Sequence, residues 1–157
     1  STNTVYDGEF TLNADDEKTQ TQLESGLSDG CFLFHYVGDE LRVLEDINSL
    51  HTFSPDKGEI FKFNQTVRVC DQIAIDIAAI FNDYYLGKVQ NDQSGRLSFW
   101  NEIVKHHQKL NDIRAIENFS GDDVTVEQGE TKQAVVVNDA ITVVNAMEKL
   151  YMTVNVQ

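Results

Sequence analysis

The sequence predicts an α+β fold in which two long helices pack on a largely antiparallel sheet. Three observations predict it: a β-hairpin at residues 31–46, two amphipathic helical stretches between residues 64 and 111, and several short strand-like segments from residue 115 onward. The hairpin thus precedes the helices and the other strands follow them. The last strand, at residues 147–156, would be able to join a neighbour's sheet.

The hairpin is the clearest local signal. Its two strand-like stretches, residues 31–37 and 40–46, flank the dipeptide Gly38-Asp39, which is a two-residue turn of the Gly-X type. The stretch that follows, residues 47–63, holds the single proline of the chain and is interpreted as a loop.

A polar surface helix is expected before the hairpin, from about residue 16 to residue 27. Asn13 or Asp15 would supply its N-cap. Asp29-Gly30 would end it, because glycine readily adopts the left-handed conformation that closes a helix.

Two long amphipathic helices are predicted in the middle of the chain. The first extends from about residue 64 to residue 86, and the second from about residue 95 to residue 111. Such wide apolar stripes are typical of core packing rather than of a cofactor site. The stripe of the first helix is Val69, Ile73, Ile77, Ile80 and Tyr84. The inner face of the second is Leu97, Trp100, Ile103, Val104, His107 and Leu110.

The charge of the chain limits its partners. Twenty-six Asp and Glu residues against twelve Lys and Arg residues give a formal net charge of −14 and a pI near 4.4. Nucleic acid and anionic membrane surfaces both require a basic footprint, so neither is an expected partner. No apolar run approaches the ~18 residues of a membrane span. Cys31 and Cys70 are expected to be buried free thiols, because two cysteines are too few for a disulfide scaffold.

No familiar catalytic or metal-binding motif is present in the sequence. His106 and His107 are adjacent, so on a helix they diverge by about 100° and do not form the i, i+4 pair that chelates a metal. HExxH, GxSxG, GxGxxG and the phosphate-binding GxxxxGK(S/T) are all missing. We therefore expect no enzymatic activity, no cofactor and no metal site. An enzyme built on unrecognised carboxylates is the remaining alternative.

The last segment of the chain alternates between apolar and polar residues, as a half-buried β-strand does. Its apolar side chains, which would share one face, are Leu150, Met152, Val154 and Val156. A strand of this kind either pairs within its own domain or adds to the sheet of another molecule, and the pattern leaves both open.

Five stretches resemble, in their order along the chain, the C-terminal region of contractile tail sheath proteins of bacteriophages and prophage-derived particles. They are residues 39–57, 67–92, 115–119, 135–141 and 145–156. The resemblance extends from about Gly30 to the C-terminus. It implies that residues 30–157 form the inner, C-terminal sheath domain, and that residues 1–29 are the end of a preceding domain or a surface segment.

The resemblance implies a structural role without cofactors. Sheath subunits of this family form stacked rings, usually six-fold, around a tail tube, and they repack on contraction. A C-terminal strand of one copy joins the sheet of a neighbour, which makes residues 147–156 the exchange strand. Its inter-subunit contacts would come from Leu150, Tyr151, Met152, Thr153, Val154, Asn155 and Val156. The family's N-terminal arm has no counterpart here, so the chain is expected to be the C-terminal portion of a longer subunit, or a shortened one.

A basic cluster on the second helix gains a role from the same resemblance. Lys105, His106 and Lys109 are the candidates for contact with the tail tube protein. The protein is expected to be made in the bacterial cytoplasm and assembled into a phage or phage-like tail, without nucleic acid or membrane as partner. The alternative is another self-associating or binding α+β domain that forms a small closed oligomer.

Overall fold

The computed structural model describes three stretches of the chain: residues 1–9, 11–12 and 17–156. The chain forms two compact units. The first contains residues 1–67 and 145–157, and the second contains residues 68–144. The boundary expected near residue 30 stays a prediction.

The first helix, α1 (Gln20–Ser28), begins at a capping box. Thr19 Oγ1 accepts from the backbone N–H of Gln22, and Gln22 Oε1 accepts from the backbone N–H of Thr19 at 2.9 Å. The helix starts later than expected because this box fixes its first turn. The caps expected at Asn13 and Asp15 lie outside the described residues.

The end of α1 agrees with the expected Asp29-Gly30 signal. The N–H of Gly30 donates to Leu27 O, and the N–H of Cys31 donates to Gly26 O at 2.9 Å, a pair of bonds that closes the last turn. Gly30 has a φ of +74°, which a glycine adopts without steric cost.

The hairpin is confirmed as β1 (Phe34–Val37) and β2 (Glu40–Val43), which are antiparallel with Val37 opposite Glu40. Gly38 opens the two-residue turn with a φ of +61°. The apolar side chains that the first unit buries are Leu41, Val43 and Ile47. Between residues 47 and 63 the chain is loop, with one 3₁₀ turn at Glu59–Lys62. Cys31 is exposed, so the expectation that it is buried was wrong.

The first long helix, α2 (Asn64–Ile80), continues as a single π-helical turn, Phe81–Tyr85. Gly87 follows with a φ of +69°. Ile73 is buried, but Tyr84 is 68 % exposed and does not belong to the stripe. The wider π turn rotates the last residues of the segment, so that Phe81 and Tyr85 face the core instead.

The second long helix, α3 (Gln93–Asp112), is capped by the Asp92 carboxylate, which accepts from the N–H of Gly95 at 2.8 Å. Its buried side chains are Phe99, Ile103, Val104 and His107. Leu97 was expected on the inner face and is 56 % exposed. Positions 99, 103 and 107 fall at steps of four and define the buried line, and Leu97 lies off that line.

Short antiparallel strands follow α3. They are β3 (Ile116–Glu117), β4 (Val124–Gln128), β5 (Val135–Asp139) and β6 (Thr142–Val143). Strand β4 pairs with β5, and β3 pairs with β6. The second unit has its core where α3 meets β4, at Phe99, Ile103 and Val124. The α+β class with antiparallel pairing is therefore confirmed.

Candidate strand-exchange interface

The C-terminal segment has no strand partner among the described residues of the chain. Its apolar row faces solvent: Leu150 is 85 % exposed, Val154 is 72 % exposed and Val156 is 94 % exposed. Tyr151 and Met152 are exposed as well. An alternating apolar segment left in water is typical of an element that is buried by a partner. The interpretation that this strand pairs within its own domain therefore finds no support in the structure.

The beginning of this segment is held by the first unit. Thr2 Oγ1 donates to Glu148 Oε1 at 2.8 Å, and Thr66 Oγ1 donates to Asn145 Oδ1 at 3.4 Å. Residues 148–151 also line a groove with α1 and Leu44. The segment is thus attached near its start, while its residues from Ala146 to Val156 are all exposed.

The ladder between β4 and β5 shows which backbone groups of β4 are paired. At its two ends Gly129 N–H donates to Ala134 O at 2.8 Å, and Ala140 N–H donates to Asp123 O at 3.0 Å. Hydrogen-bonded and non-hydrogen-bonded pairs alternate along an antiparallel ladder. The odd-numbered residues of β4 therefore direct their N–H and C=O groups toward β5, and the even-numbered residues direct theirs away.

The outward groups of β4 form an open strand edge. Strand β4 pairs with β5 on one side, and on the other side the carbonyl of Val124 accepts from Trp100 Nε1 at 2.9 Å. Val126 and Gln128 direct their N–H and C=O groups to the same side. An edge of this kind is a template for an added strand.

A groove of about 560 Å³ runs beside this edge. Leu97 and Trp100 of α3 form its apolar wall, Gln93 and Arg96 its polar end, and β4 its floor. Leu97 is exposed because its side chain lines this groove. We call the groove and the outward side of β4 together the β4 edge.

The three tube-contact candidates differ in their surroundings. Lys105 is exposed and forms an ion pair with Glu102 at 2.9 Å, and Lys109 is exposed. His106 is only 15 % exposed, and its Nε2 lies 2.8 Å from Asp76 Oδ2. The structure therefore presents two cations at this surface, while the histidine is engaged inside the unit.

Hydrogen bonds from His106, and then from Gln72, hold the pKa of Asp76 below its ordinary value. Burial, followed by the nearby charges of Asp71 and Asp139, raises the pKa of the Cys70 thiol.

In the three described stretches, no cluster of three or more His, Cys, Asp or Glu residues could hold a metal ion. Those stretches also contain no helix of the length and apolarity that crossing a bilayer requires.

Residues 56–157 match the family model of the phage tail sheath C-terminal domain. The chain belongs to the phage tail sheath family. Its fold is similar to that of a sheath tail protein from Desulfitobacterium hafniense, with a TM-score of 0.82 and 33 % identity over 96 % of this chain and 35 % of that one. A sheath tail protein from Listeria innocua matches with a TM-score of 0.78 and 28 % identity, over 96 % of this chain and 36 % of that one.

Two proteins of Bacillus subtilis strain 168 are similar to this sheath-family chain. The phage-like element PBSX protein XkdK is 28 % identical over 83 % of the chain, and the uncharacterized protein YqbK is 30 % identical over 83 %. The chain spans 30 % of the length of each. The expected sheath family is thus confirmed, and this family is one of structural tail proteins.

Sequence reasoning proposed residues 147–156 as an exchange segment and did not single out the β4 edge. A signal for an edge was present in the strand-like segments expected after residue 115, because two paired strands leave an open edge on each side. Which edge lies beside a groove depends on how α3 crosses the hairpin. The strand pattern does not contain that information.

Proposed function

We propose that this chain is the subunit-linking part of a contractile tail sheath, which polymerises in stacked rings, six-fold in the usual family arrangement, around a tail tube and repacks on contraction. The observation that carries the proposal is the exposed apolar row of residues 147–156. The protein would act as a component of an assembled phage tail. Self-association through that row is its mode of assembly.

The acceptor for this row is the β4 edge of a neighbouring copy. The outward groups of Val126 and Gln128 would pair with the backbone of the incoming strand. Alternate side chains of that strand would enter the groove against Leu97 and Trp100. A slip of one residue would turn the apolar row out of the groove, so the apolar row also fixes the register.

The energies are suited to a link that holds and can still be repacked. Burial of an apolar side chain contributes roughly 1.5–3 kcal/mol, and each backbone hydrogen bond contributes about 0.5–1.5 kcal/mol net. Bringing two copies together costs roughly 4–15 kcal/mol. One exchanged strand therefore gives a modest link, and many links in a ring give a stable one.

Lys105 and Lys109 would contact the tail tube. His106 is the weaker third candidate, because its side chain is paired with Asp76 inside the unit. Both lysines are exposed in a chain of net charge −14, so an acidic surface on the tube protein would select this patch. Exposed ion pairs contribute only about 0–1 kcal/mol each. Contacts that weak can release when the sheath contracts.

Electron microscopy of the intact parent subunit, co-expressed with its tube protein, tests the sheath role. We expect hollow, helically ordered cylinders in which the C-terminal strand can be traced onto a neighbour's β4. Dispersed monomers would contradict the proposal. A small closed oligomer of constant mass in light scattering would favour a simple self-associating domain instead.

A further inference from the structure

Four polar side chains form a continuous row of contacts in the second unit. Asp76 Oδ2 lies 2.8 Å from His106 Nε2, His106 Nδ1 lies 3.4 Å from His107 Nδ1, and His107 Nε2 lies 2.8 Å from Asp139 Oδ2. This row of contacts joins α2, α3 and β5. Neither the expected core packing of α3 nor the proposed sheath contacts require it.

His107 faces an acceptor on both sides of its ring. Its side chain is fully buried, its Nδ1 lies 3.0 Å from the carbonyl oxygen of Ile103, and its Nε2 lies against the carboxylate of Asp139. A carbonyl only accepts hydrogen bonds, and so does an ionised carboxylate. A neutral imidazole has one N–H, so one nitrogen lone pair would face an oxygen lone pair in the interior.

One extra proton removes this conflict. Either His107 carries both ring protons beside an ionised Asp139, or a protonated Asp139 donates to a neutral His107. His106 fits the same arrangement. With its proton on Nε2 it donates to Asp76, and its Nδ1 remains free to accept from His107 Nδ1–H, which is shared with the Ile103 carbonyl.

We propose that buried His107 and partly exposed Asp139 form a proton-binding site that is occupied at neutral pH and holds the β4–β5 hairpin on α3. Because Asp139 is the last residue of β5, the pair joins the hairpin to the C-terminal third of α3. The proposal concerns the second unit alone and does not rest on the sheath role.

The ionisable groups around the pair are mostly acidic. Strand β5 supplies Asp139, which is a member of the pair. Helix α2 supplies Asp76, the Cys70 thiol and Asp71, which is next to Cys70. On α3 the neighbour is His106, while Lys105 is paired with Glu102 at the surface. The Phe119 ring packs on His107 at a centroid distance of 5.0 Å and brings no charge. No charged side chain of β3 or β4 forms a hydrogen bond to either histidine in the described structure.

The sign of the pH dependence follows from the proton count. Above about pH 6.5 the unfolded chain has neutral histidines and ionised carboxylates, so the folded state binds one proton more than the unfolded state. Rising pH therefore disfavours folding, by up to about tenfold in the folding equilibrium constant per pH unit. Below about pH 6.5 this dependence flattens, because the unfolded histidine also takes up a proton.

The Asp139→Asn variant of the whole 157-residue chain tests the proposal. The amide can donate to an unprotonated Nε2 while Nδ1–H donates to Ile103, so the variant needs no extra proton. Urea unfolding should be measured between about pH 7 and pH 9. Over this range the folding equilibrium constant of the wild type should fall relative to that of the variant, by up to about tenfold per pH unit. Asp122→Asn, which removes an exposed carboxylate nearby, should follow the wild type. Parallel curves for wild type and Asp139→Asn would overturn the proposal.

Nitrogen-15 NMR of the histidine rings in the wild-type chain gives a second test that needs no variant to fold. At about pH 7.5, well above histidine's ordinary titration range, we expect His107 with two N–H groups, or with one beside a protonated Asp139. A neutral His107 beside an ionised Asp139 would overturn the proposal. The carboxyl state is read from the carbon-13 shift of Asp139.

Discussion

At single positions, a glycine decides where an element of this chain can end. Gly30 closes α1 with a positive φ, and a Cβ at this position would lie 2.9 Å from the carbonyl oxygen of Ser49. Two separate requirements, backbone conformation and space, thus select the same residue. Gly58 differs in both respects, since its φ is −68° and a Cβ there would meet open space.

We expect Gly30→Ala to lower the free energy of unfolding by about 1–3 kcal/mol, from the left-handed conformation and the close carbonyl. Urea unfolding followed by circular dichroism measures it. Gly58→Ala is the matched control and should stay within about 0.5 kcal/mol of the wild type. Equal effects of the two substitutions would show that the structure around Gly30 does not impose these requirements.

Asp76 gives a pH dependence of opposite sign to the one proposed above for the second unit. Its folded-state pKa lies below the ordinary value of 3.8, so its contribution to stability is present above that pH and is lost as pH falls through the folded-state pKa. Asp76→Asn should therefore lower the urea midpoint near pH 6, by an amount that shrinks below about pH 4. The side chain is 36 % exposed, so the effect is small. Asp83→Asn serves as the exposed control, and a pH-independent difference for Asp76→Asn would contradict the assignment.

At the scale of elements, the open side of β4 and the C-terminal segment are complementary: one lacks a strand and the other lacks a sheet. The sequence predicted the hairpin at residues 31–46 and the two long helices, because each depends on local periodicity, whereas the strand expected at residues 147–156 is not formed in the single chain. It misassigned Leu97 and overlooked Phe99, because the choice of buried face depends on how α3 crosses β4. The contact between Asp76 and His106 could not be predicted either, since the two residues lie 30 positions apart in the chain.

Val154→Asp should abolish association between copies while leaving the chain folded, because Val154 is 72 % exposed in the single chain. Thr153→Asp places the same charge on the opposite face of the segment and should reduce association much less. Sedimentation of the parent subunit, with circular dichroism of the chain, measures both effects. Unfolding of the isolated chain by Val154→Asp would show that the segment pairs within its own domain.

Gln128→Pro tests the acceptor edge from the other side. The N–H of Gln128 points outward, so proline removes a donor to an incoming strand and leaves the β4–β5 ladder intact. We expect lost association with stability within about 1 kcal/mol of the wild type. Glu127→Pro removes an N–H that β5 uses and should destabilise the hairpin itself. Unchanged assembly by Gln128→Pro would exclude this edge as the acceptor.

At the scale of the whole molecule, charge separates two kinds of contact. The acidic surface repels other copies, so in the proposed sheath the apolar row and the β4 edge must outweigh that repulsion. Lys105 and Lys109 form a local exception that suits an acidic partner. A contact of this kind is sensitive to salt, since exposed charges are screened over about 8 Å at physiological ionic strength.

We expect the double variant Lys105→Glu and Lys109→Glu to reduce co-purification of the tube protein with the parent subunit at low salt, while copies still associate with one another. Lys88→Glu with Lys132→Glu makes the same change of net charge at other exposed positions of the second unit and should have little effect. Co-purification equal to that of the wild type in the first double variant would exclude this patch.

The open side of β4 is also a hazard to any copy that has not yet found its place. A free strand edge and an exposed alternating segment of ten residues are the two ingredients of uncontrolled β-aggregation, and every newly made copy carries both. The net charge of −14 then acts as a solubility device, since it keeps unassembled copies apart until a correctly registered encounter outweighs the repulsion. Near the isoelectric point of about 4.4 that protection disappears, and the edge proposed to join subunits in order would join them at random.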